Sequence, residues 1–199
     1  MTWKETFSGR RIDLLDPHPA QIVLSDIAKG LSGTNRFTGH TSPLESVAQH
    51  SIYAMILIEG LFPEDFLLQA LTLSHDAHEA YTGDISRPMK LALRALGCEG
   101  LDFIESTVQR ACLVALGLPQ PTDGQRVLIK NADTRMLVTE RHALMPNTGE
   151  RPWSTEAIRP DPKILALLTD PLIDGDAVHW ANLFDFHMQR LLSRLKENQ

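Results

Sequence analysis

The sequence predicts an all-α protein, and three observations support this fold class. Apolar residues recur with helical periodicity along most of the 199 residues. Prolines and glycines stand between these segments, at positions where they start or stop helices. The alternating pattern typical of half-buried strands is missing. We therefore expect a single domain over residues 1–199, built as a roughly antiparallel helical bundle.

The N-terminal part of the chain contains two predicted helices separated by a polar loop. Residues 1–19 are expected to be extended or irregular. A first helix over about residues 20–29 is expected to end near Gly30. The second helix has a clear start signal, because Ser42 can act as its N-cap and Glu45 can close a capping box.

Five further segments combine apolar periodicity with clear ends. They are predicted at about residues 63–83, 88–95, 99–116, 122–145 and 174–195. Thr122 and Gln125 can form a capping box at the start of the long helix that follows the proline-rich linker. Residues 146–160 contain three prolines and are expected to form a polar loop.

Composition excludes several functional classes. The net charge of −6 argues against general binding of nucleic acid polymers, which needs a basic face. No stretch approaches the roughly 18 apolar residues of a membrane span, and the N-terminus does not have the pattern of a signal peptide. Cys98 and Cys112 are not spaced as a metal or redox motif. We therefore expect a reduced protein of the cytoplasm.

The strongest chemical feature is the adjacent pair His75-Asp76 at the end of an apolar helical segment. An imidazole and a carboxylate can share a divalent ion, although adjacent residues do not lie on one face of a regular helix. His50 and Asp133 lie on two other predicted helices and could reach the same place. Taken alone, His50 could be a satisfied core histidine, and Asp133 could be solvated or paired with a neighbouring cation such as Lys130. Together they favour a metal site.

The order His50, His75-Asp76, Asp133 resembles that of the HD-domain metal-dependent phosphohydrolases, and more closely their 5′-deoxyribonucleotidase-like branch. The matching segments are Asn35-Arg36-Phe37, Ser46-Val47-Ala48-Gln49-His50-Ser51, Ser74-His75-Asp76-Ala77, Glu79, Thr82-Gly83-Asp84-Ile85 and Asn131-Ala132-Asp133. The resemblance covers about residues 31–140 of one HD-type domain. Residues 160–199 would form a C-terminal helical extension.

This resemblance implies a metal-dependent phosphohydrolase that removes the 5′-phosphate of (deoxy)nucleoside monophosphates by attack of a metal-activated water. One divalent ion per chain (Co, Mn, Zn, Fe or Ni) would be held by four side chains, leaving positions for water and a phosphate oxygen. The implied metal ligands are His50, His75, Asp76 and Asp133.

The resemblance also implies two groups of residues around the ion. The catalytic carboxylates would be Glu79 and Asp84, and the substrate-binding residues would be Arg36, Phe37, Arg87 and Lys90. Each has a simpler alternative role, as a surface carboxylate, a turn residue or a solvated cation. His40 and His78 have no counterpart in the resemblance, and both are expected to be exposed.

Two other functions stay open at the level of the sequence. One is an HD-type phosphodiesterase or nucleotide-polyphosphate hydrolase, and the other is a sensor that binds metal and nucleotide without catalysis. The expected partner is a small phosphorylated substrate, with no nucleic acid polymer and no membrane. The resemblance further implies a homodimer, although the apolar stripe of the last helix fits a core position better than a dimer seam.

Overall fold

The computed structural model describes residues 1–146, 155, 157–170, 173 and 175–198. Within these residues the fold is mostly helical, which confirms the predicted all-α class. The nine α-helices are α1 (Leu24–Gly33), α2 (Val47–Leu61), α3 (Phe66–Leu73), α4 (Glu79–Thr82), α5 (Arg87–Ala95), α6 (Gly100–Ala115), α7 (Asp123–Leu144), α8 (Pro162–Thr169) and α9 (Ala177–Glu197). The loop predicted at residues 146–160 lies largely outside the described part.

The core forms where α1, α2 and α3 pack against α9. Helix α9 contributes an inward stripe with three- and four-residue spacing, made of Trp180, Phe184, Met188 and Leu191. Because this stripe is buried within the chain, its assignment to the core is confirmed, and the homodimer stays a prediction. In the described part of the chain, each helix is too short or too polar to cross a bilayer.

Helix α7 starts as its sequence predicts and crosses the bundle beside α2 and α3. The Thr122 side chain accepts a hydrogen bond from the backbone N–H of Gln125. The Gln125 side chain accepts in return from the backbone N–H of Thr122, which completes the capping box. This long helix carries Asp133 and Glu140 seven residues apart, and therefore on one face.

The predicted end of the first helix is wrong because a tertiary contact explains Gly30. Helix α1 does not end at Gly30 but continues to Gly33. Gly30 instead marks a close approach of two helices, since a Cβ there would lie 2.7 Å from the Cβ of Ala80 in α4. Residues 1–19 are partly extended, as expected, and within them Trp3–Glu5 (β1) pairs antiparallel with Arg11–Asp13 (β2) in a small hairpin.

The predicted start of the second helix is wrong by several residues. Ser42 is not the N-cap, and Glu45 does not close a capping box. The cap is Ser46, whose side chain accepts from the backbone N–H of Gln49. The preceding segment forms backbone hydrogen bonds to residues 34–36 instead, including Arg36 N–H to the Glu45 carbonyl at 2.8 Å. These bonds compete with helix formation.

The helix predicted over residues 63–83 is interrupted after α3. The Gln109 side chain on α6 enters the break, where its amide nitrogen donates to the Ser74 carbonyl at 2.7 Å. Its oxygen accepts from the backbone N–H of His78 at 3.0 Å. Residues 74–78 therefore form turns between α3 and α4. This break frees His75 and Asp76 from the spacing of a regular helix.

Candidate metal centre

Side chains from separate elements converge on one point inside the bundle. His50 comes from α2, and His75 and Asp76 come from the turn after α3. One ligand atom from each of these three residues lies within 4.8 Å of the other two. The Nε2 atoms of the two histidines are 3.3 Å apart. The three side chains form a group that could hold a metal ion.

Asp133 on α7 reaches the same group from the opposite wall. Its Oδ1 lies 3.6 Å from Nε2 of His50, while its Oδ2 accepts a 2.6 Å hydrogen bond from Nζ of Lys130. Asp133 is therefore paired with Lys130, one of the roles that the sequence left open, and it also lies close to the ligand group. Burial raises the pKa of Asp133, but the nearby His75 and His50 have a larger effect and lower it below its ordinary value. The carboxylate is charged at neutral pH.

His75 is oriented by the backbone of the preceding helix, α3. Its Nδ1 lies 2.7 Å from the Thr72 carbonyl oxygen, which can only accept, so Nδ1 is the donor. The other ring nitrogen faces Oδ2 of Asp76 at 3.0 Å. Burial opposes a charged imidazole, but the Asp76 carboxylate outweighs it and raises the pKa of His75 to about 9. A metal ion must displace this proton to use Nε2.

Glu140 is a further residue of the site that the sequence analysis did not identify. It is fully buried, and its Oε1 is in very short contact with Nδ1 of His50. Its Oε2 accepts from Nε and Nη2 of Arg36 at 3.0 and 2.8 Å. Its helical spacing indicates a buried position, because Glu140 lies two helical turns after Asp133 on a face that also buries Met136. An acid at such a position needs a partner.

Arg36 is buried and lies in a strained loop. Phe37 and Thr38, which follow it, have φ angles of 53° and 55°, a left-handed conformation that costs non-glycine residues about 1–2 kcal/mol each. The Arg36 guanidinium lies 5.4 Å from the centre of the Phe37 ring. Strain of this kind persists where the surrounding structure holds it, often at functional sites. Two of the guanidinium nitrogens already bind Glu140, so a ligand could use the remaining donors.

Glu79 is the first residue of α4 and Asp84 follows that helix, and both carry raised pKa values. Burial raises the pKa of Glu79 to about 10, and the negative charges of Asp76 and Asp84 add to this shift. The Oε2 atom of Glu79 is buried without a hydrogen-bond partner among the described residues. Burial likewise raises the pKa of Asp84, which is half-buried. Glu79 therefore holds a proton at neutral pH in this arrangement.

The remaining candidates lie farther from the ligand cluster or have structural partners. Lys90 forms an ion pair with Glu105 at 3.0 Å, yet its charge is felt by both Glu79 and Asp84. Arg87 is exposed at the first residue of α5. His40 is exposed as expected, but the prediction that His78 is exposed is wrong. His78 is buried because its backbone and ring both bond the side chain of Gln109.

A cavity of about 290 Å³ opens beside the ligand cluster. His75, Asp76 and Asp133 form part of its lining. Its other residues include the apolar side chains Leu71, Leu113 and Ile129, the amide Gln120, and the cations Arg126 and Lys130. The lining of the cavity therefore contains apolar side chains and positive charges next to the metal-ligand group.

The donor set fits a divalent transition metal. Two imidazole nitrogens and two carboxylates form the mixed set that Mn, Fe, Co, Ni and Zn accept. Each histidine has its other ring nitrogen occupied, by the Thr72 carbonyl for His75 and by Glu140 for His50. Such outer contacts are typical of metal-binding histidines. The unpartnered oxygen of Glu79 adds a polar group beside the cluster that still has capacity to bind a ligand.

Comparison with known proteins shows which sequences this chain is related to. The uncharacterized protein YfdR of Escherichia coli K12 is 36% identical over 149 residues, which are 75% of this chain and 76% of YfdR. The chain belongs to the same family as YfdR. An uncharacterized protein of Rhodobacter capsulatus is 38% identical over 143 residues, covering 66% of this chain and 67% of that protein. No family model matches the chain.

Proposed function

We propose that the protein is a metal-dependent phosphohydrolase of the HD type that removes the 5′-phosphate of (deoxy)nucleoside monophosphates. The observation that supports this most is the convergence of His50, His75 and Asp76 within 4.8 Å of one another. Asp133 is the proposed fourth ligand, since its Oδ1 lies 3.6 Å from His50. The same residues support the resemblance to HD-domain enzymes.

The four ligands would hold one divalent ion and leave positions for small oxygen ligands. When bound, such an ion supplies positive charge that makes a water molecule more acidic and polarises a phosphoryl group. Hydrolysis forms a P–O bond from water and breaks the P–O bond to the sugar. The water loses a proton in this reaction, and the departing sugar oxygen gains one.

The protein's own side chains have matching roles in this proposal. Arg36 binds a phosphate oxygen through the guanidinium donors that Glu140 does not use. Glu79 exchanges protons beside the cluster, giving one to the departing oxygen and taking one from water, as its buried and unpartnered oxygen permits. Asp84 and Lys90 set the charge around Glu79. Arg87 and Phe37 are proposed contacts at the edge of the site.

The cavity beside the cluster suits the nucleoside part of the substrate. Its apolar wall can cover a base, and the exposed Gln120 can hydrogen-bond to polar edges. Arg126 and Lys130 in the same lining favour a second candidate function. Two cations one helical turn apart could bind additional phosphates, so a nucleotide-polyphosphate hydrolase is the alternative.

The test is phosphate release by purified protein loaded with Co²⁺ or Mn²⁺, measured with nucleoside mono-, di- and triphosphates. We expect monophosphates to be hydrolysed, and Glu79→Gln to lose turnover by about 10²-fold or more while keeping cobalt binding. Preference for di- or triphosphates would instead support the alternative. If no nucleotide releases phosphate while cobalt still binds, the catalytic proposal fails and a sensor role replaces it.

A further inference from the structure

The buried carboxylate of Glu140 touches both halves of the proposed site. One oxygen contacts Nδ1 of the metal-ligand candidate His50, and the other accepts two hydrogen bonds from Arg36. Glu140 lies on α7, 90 residues from His50 and 104 residues from Arg36 in sequence. Its side chain is completely shielded from solvent. Bulk solvent therefore does not reach either contact in this structure.

The contact to His50 determines which ring nitrogen can bind an ion. A carboxylate oxygen only accepts hydrogen bonds, so Nδ1 of His50 must be the donor. Nε2 is then the ring nitrogen on the side that faces His75, 3.3 Å away, and Asp133, 3.6 Å away. An ion bound at Nε2 requires the tautomer that carries its proton on Nδ1, which is the proton that Glu140 accepts.

The contact to Arg36 determines where its remaining donors point. The guanidinium is planar, so two bonds to one oxygen set the orientation of the whole group. Without these bonds Arg36 would also be a buried cation facing fewer partners, which is costly. The strained backbone at Phe37 follows directly and leaves the loop few alternative positions.

We infer that Glu140 is a positioning residue that couples the metal centre to the phosphate-binding arginine, and that both functions weaken together when its carboxylate is lost. The inference rests on the proposed function in assigning phosphate binding to Arg36. It adds to that function one residue on α7 that positions both His50 and Arg36.

The substitution Glu140→Gln tests the inference because an amide cannot satisfy both partners. His50 and Arg36 each present an N–H donor, whereas glutamine offers one oxygen and one NH₂ group. One donor must therefore face another donor. The matched control is Glu45→Gln, the same chemical change at a buried acid that lies close to Glu140 but makes no hydrogen bond to His50 among the described residues.

We expect isothermal titration with Co²⁺ to show about 10–100-fold weaker binding for Glu140→Gln, and unchanged binding for Glu45→Gln. Binding of inorganic phosphate to the cobalt-loaded protein should weaken in Glu140→Gln as well. Arg36→Gln should weaken phosphate binding and leave cobalt binding close to that of the unsubstituted protein. Cobalt affinity that is the same in both glutamate variants would overturn the inference.

A second readout needs no substitution and stays available if Glu140→Gln does not fold. Nitrogen-15 NMR of the zinc-loaded protein should show the His50 proton on Nδ1. A proton on Nε2 would contradict the proposed support by Glu140. Both readouts are independent of turnover, so cobalt binding through a supported His50 without hydrolysis would refute the proposed function alone.

Discussion

Replacing Gly30 with alanine is expected to push α1 away from α4. The added methyl group would lie 2.7 Å from both the Cβ and the carbonyl oxygen of Ala80, and 2.8 Å from its Cα. These atoms belong to the backbone or are attached directly to it, so no flexible side-chain end can rotate aside. The two helices must separate, and α4 carries Glu79 immediately before Ala80.

The expected magnitude follows from two opposing effects. Overpacking of a tightly packed position costs about 1–3 kcal/mol, and three contacts below 3.0 Å place Gly30→Ala in the upper part of this range, at about 2–3 kcal/mol. Alanine improves helix propensity over glycine by up to about 1 kcal/mol. We therefore expect Gly30→Ala to lower the free energy of unfolding by about 1–2 kcal/mol. For a chain of this size, that corresponds to a decrease in Tm of roughly 2–8 °C.

The assay is thermal unfolding followed by circular dichroism, with Gly33→Ala as the matched control. Gly33 ends the same helix, and a Cβ there would meet no atom within 4 Å. That variant should be neutral or slightly more stable. Equal Tm values for the two variants would refute the close approach at Gly30. If the proposed function holds, Gly30→Ala should also reduce turnover more than cobalt affinity, because it displaces Glu79 rather than the metal ligands.

Three further predictions concern metal, thiol reactivity and pH. Saturating Co²⁺, at about 100 times Kd, should stabilise chelator-treated protein by about 2.7 kcal/mol in thermal unfolding, and His75→Ala should abolish this gain. In a thiol assay, exposed Cys98 should react in the folded protein, whereas Cys112 should react only after unfolding, since burial raises its pKa to about 12. Burial raises the pKa of Glu45 well above its ordinary 4.5, so the folded state favours the protonated acid. The free energy of unfolding contributed by this group is therefore lost as pH rises above 4.5. In urea denaturation, the free energy of unfolding of Glu45→Gln should increase relative to that of the unsubstituted protein from pH 5 to pH 8. A constant difference would contradict this.

Predictions from sequence succeeded where the signal was local. The capping box of Thr122 and Gln125 involves residues three apart, so the start of α7 could be read directly. The start of α2 was misplaced because the deciding contacts join Arg36 to Glu45 through the backbone. A helix start signal at Ser42 says nothing about such pairing. The same limitation applies to Gly30, where a glycine is needed because Ala80, 50 residues later, packs against it.

The arrangement of the site depended on contacts that span the chain. His75 and Asp76 point to one place because Gln109 on α6 holds the turns between α3 and α4. Glu140 was overlooked because an acid on a long helix is usually solvated, and only its burial against Arg36 shows otherwise. These contacts depend on how the helices pack.

Helical periodicity and residue chemistry are local properties, so the all-α class and the candidate ligands His50, His75, Asp76 and Asp133 can be predicted from the sequence. Which atoms meet depends on how the helices pack. Helix α3 ends before His75, His50 contacts Glu140, and an oxygen of Glu79 has no hydrogen-bond partner among the described residues. The physical reason is that burial and long-range hydrogen bonding decide the side-chain geometry, and both arise only when distant segments pack together.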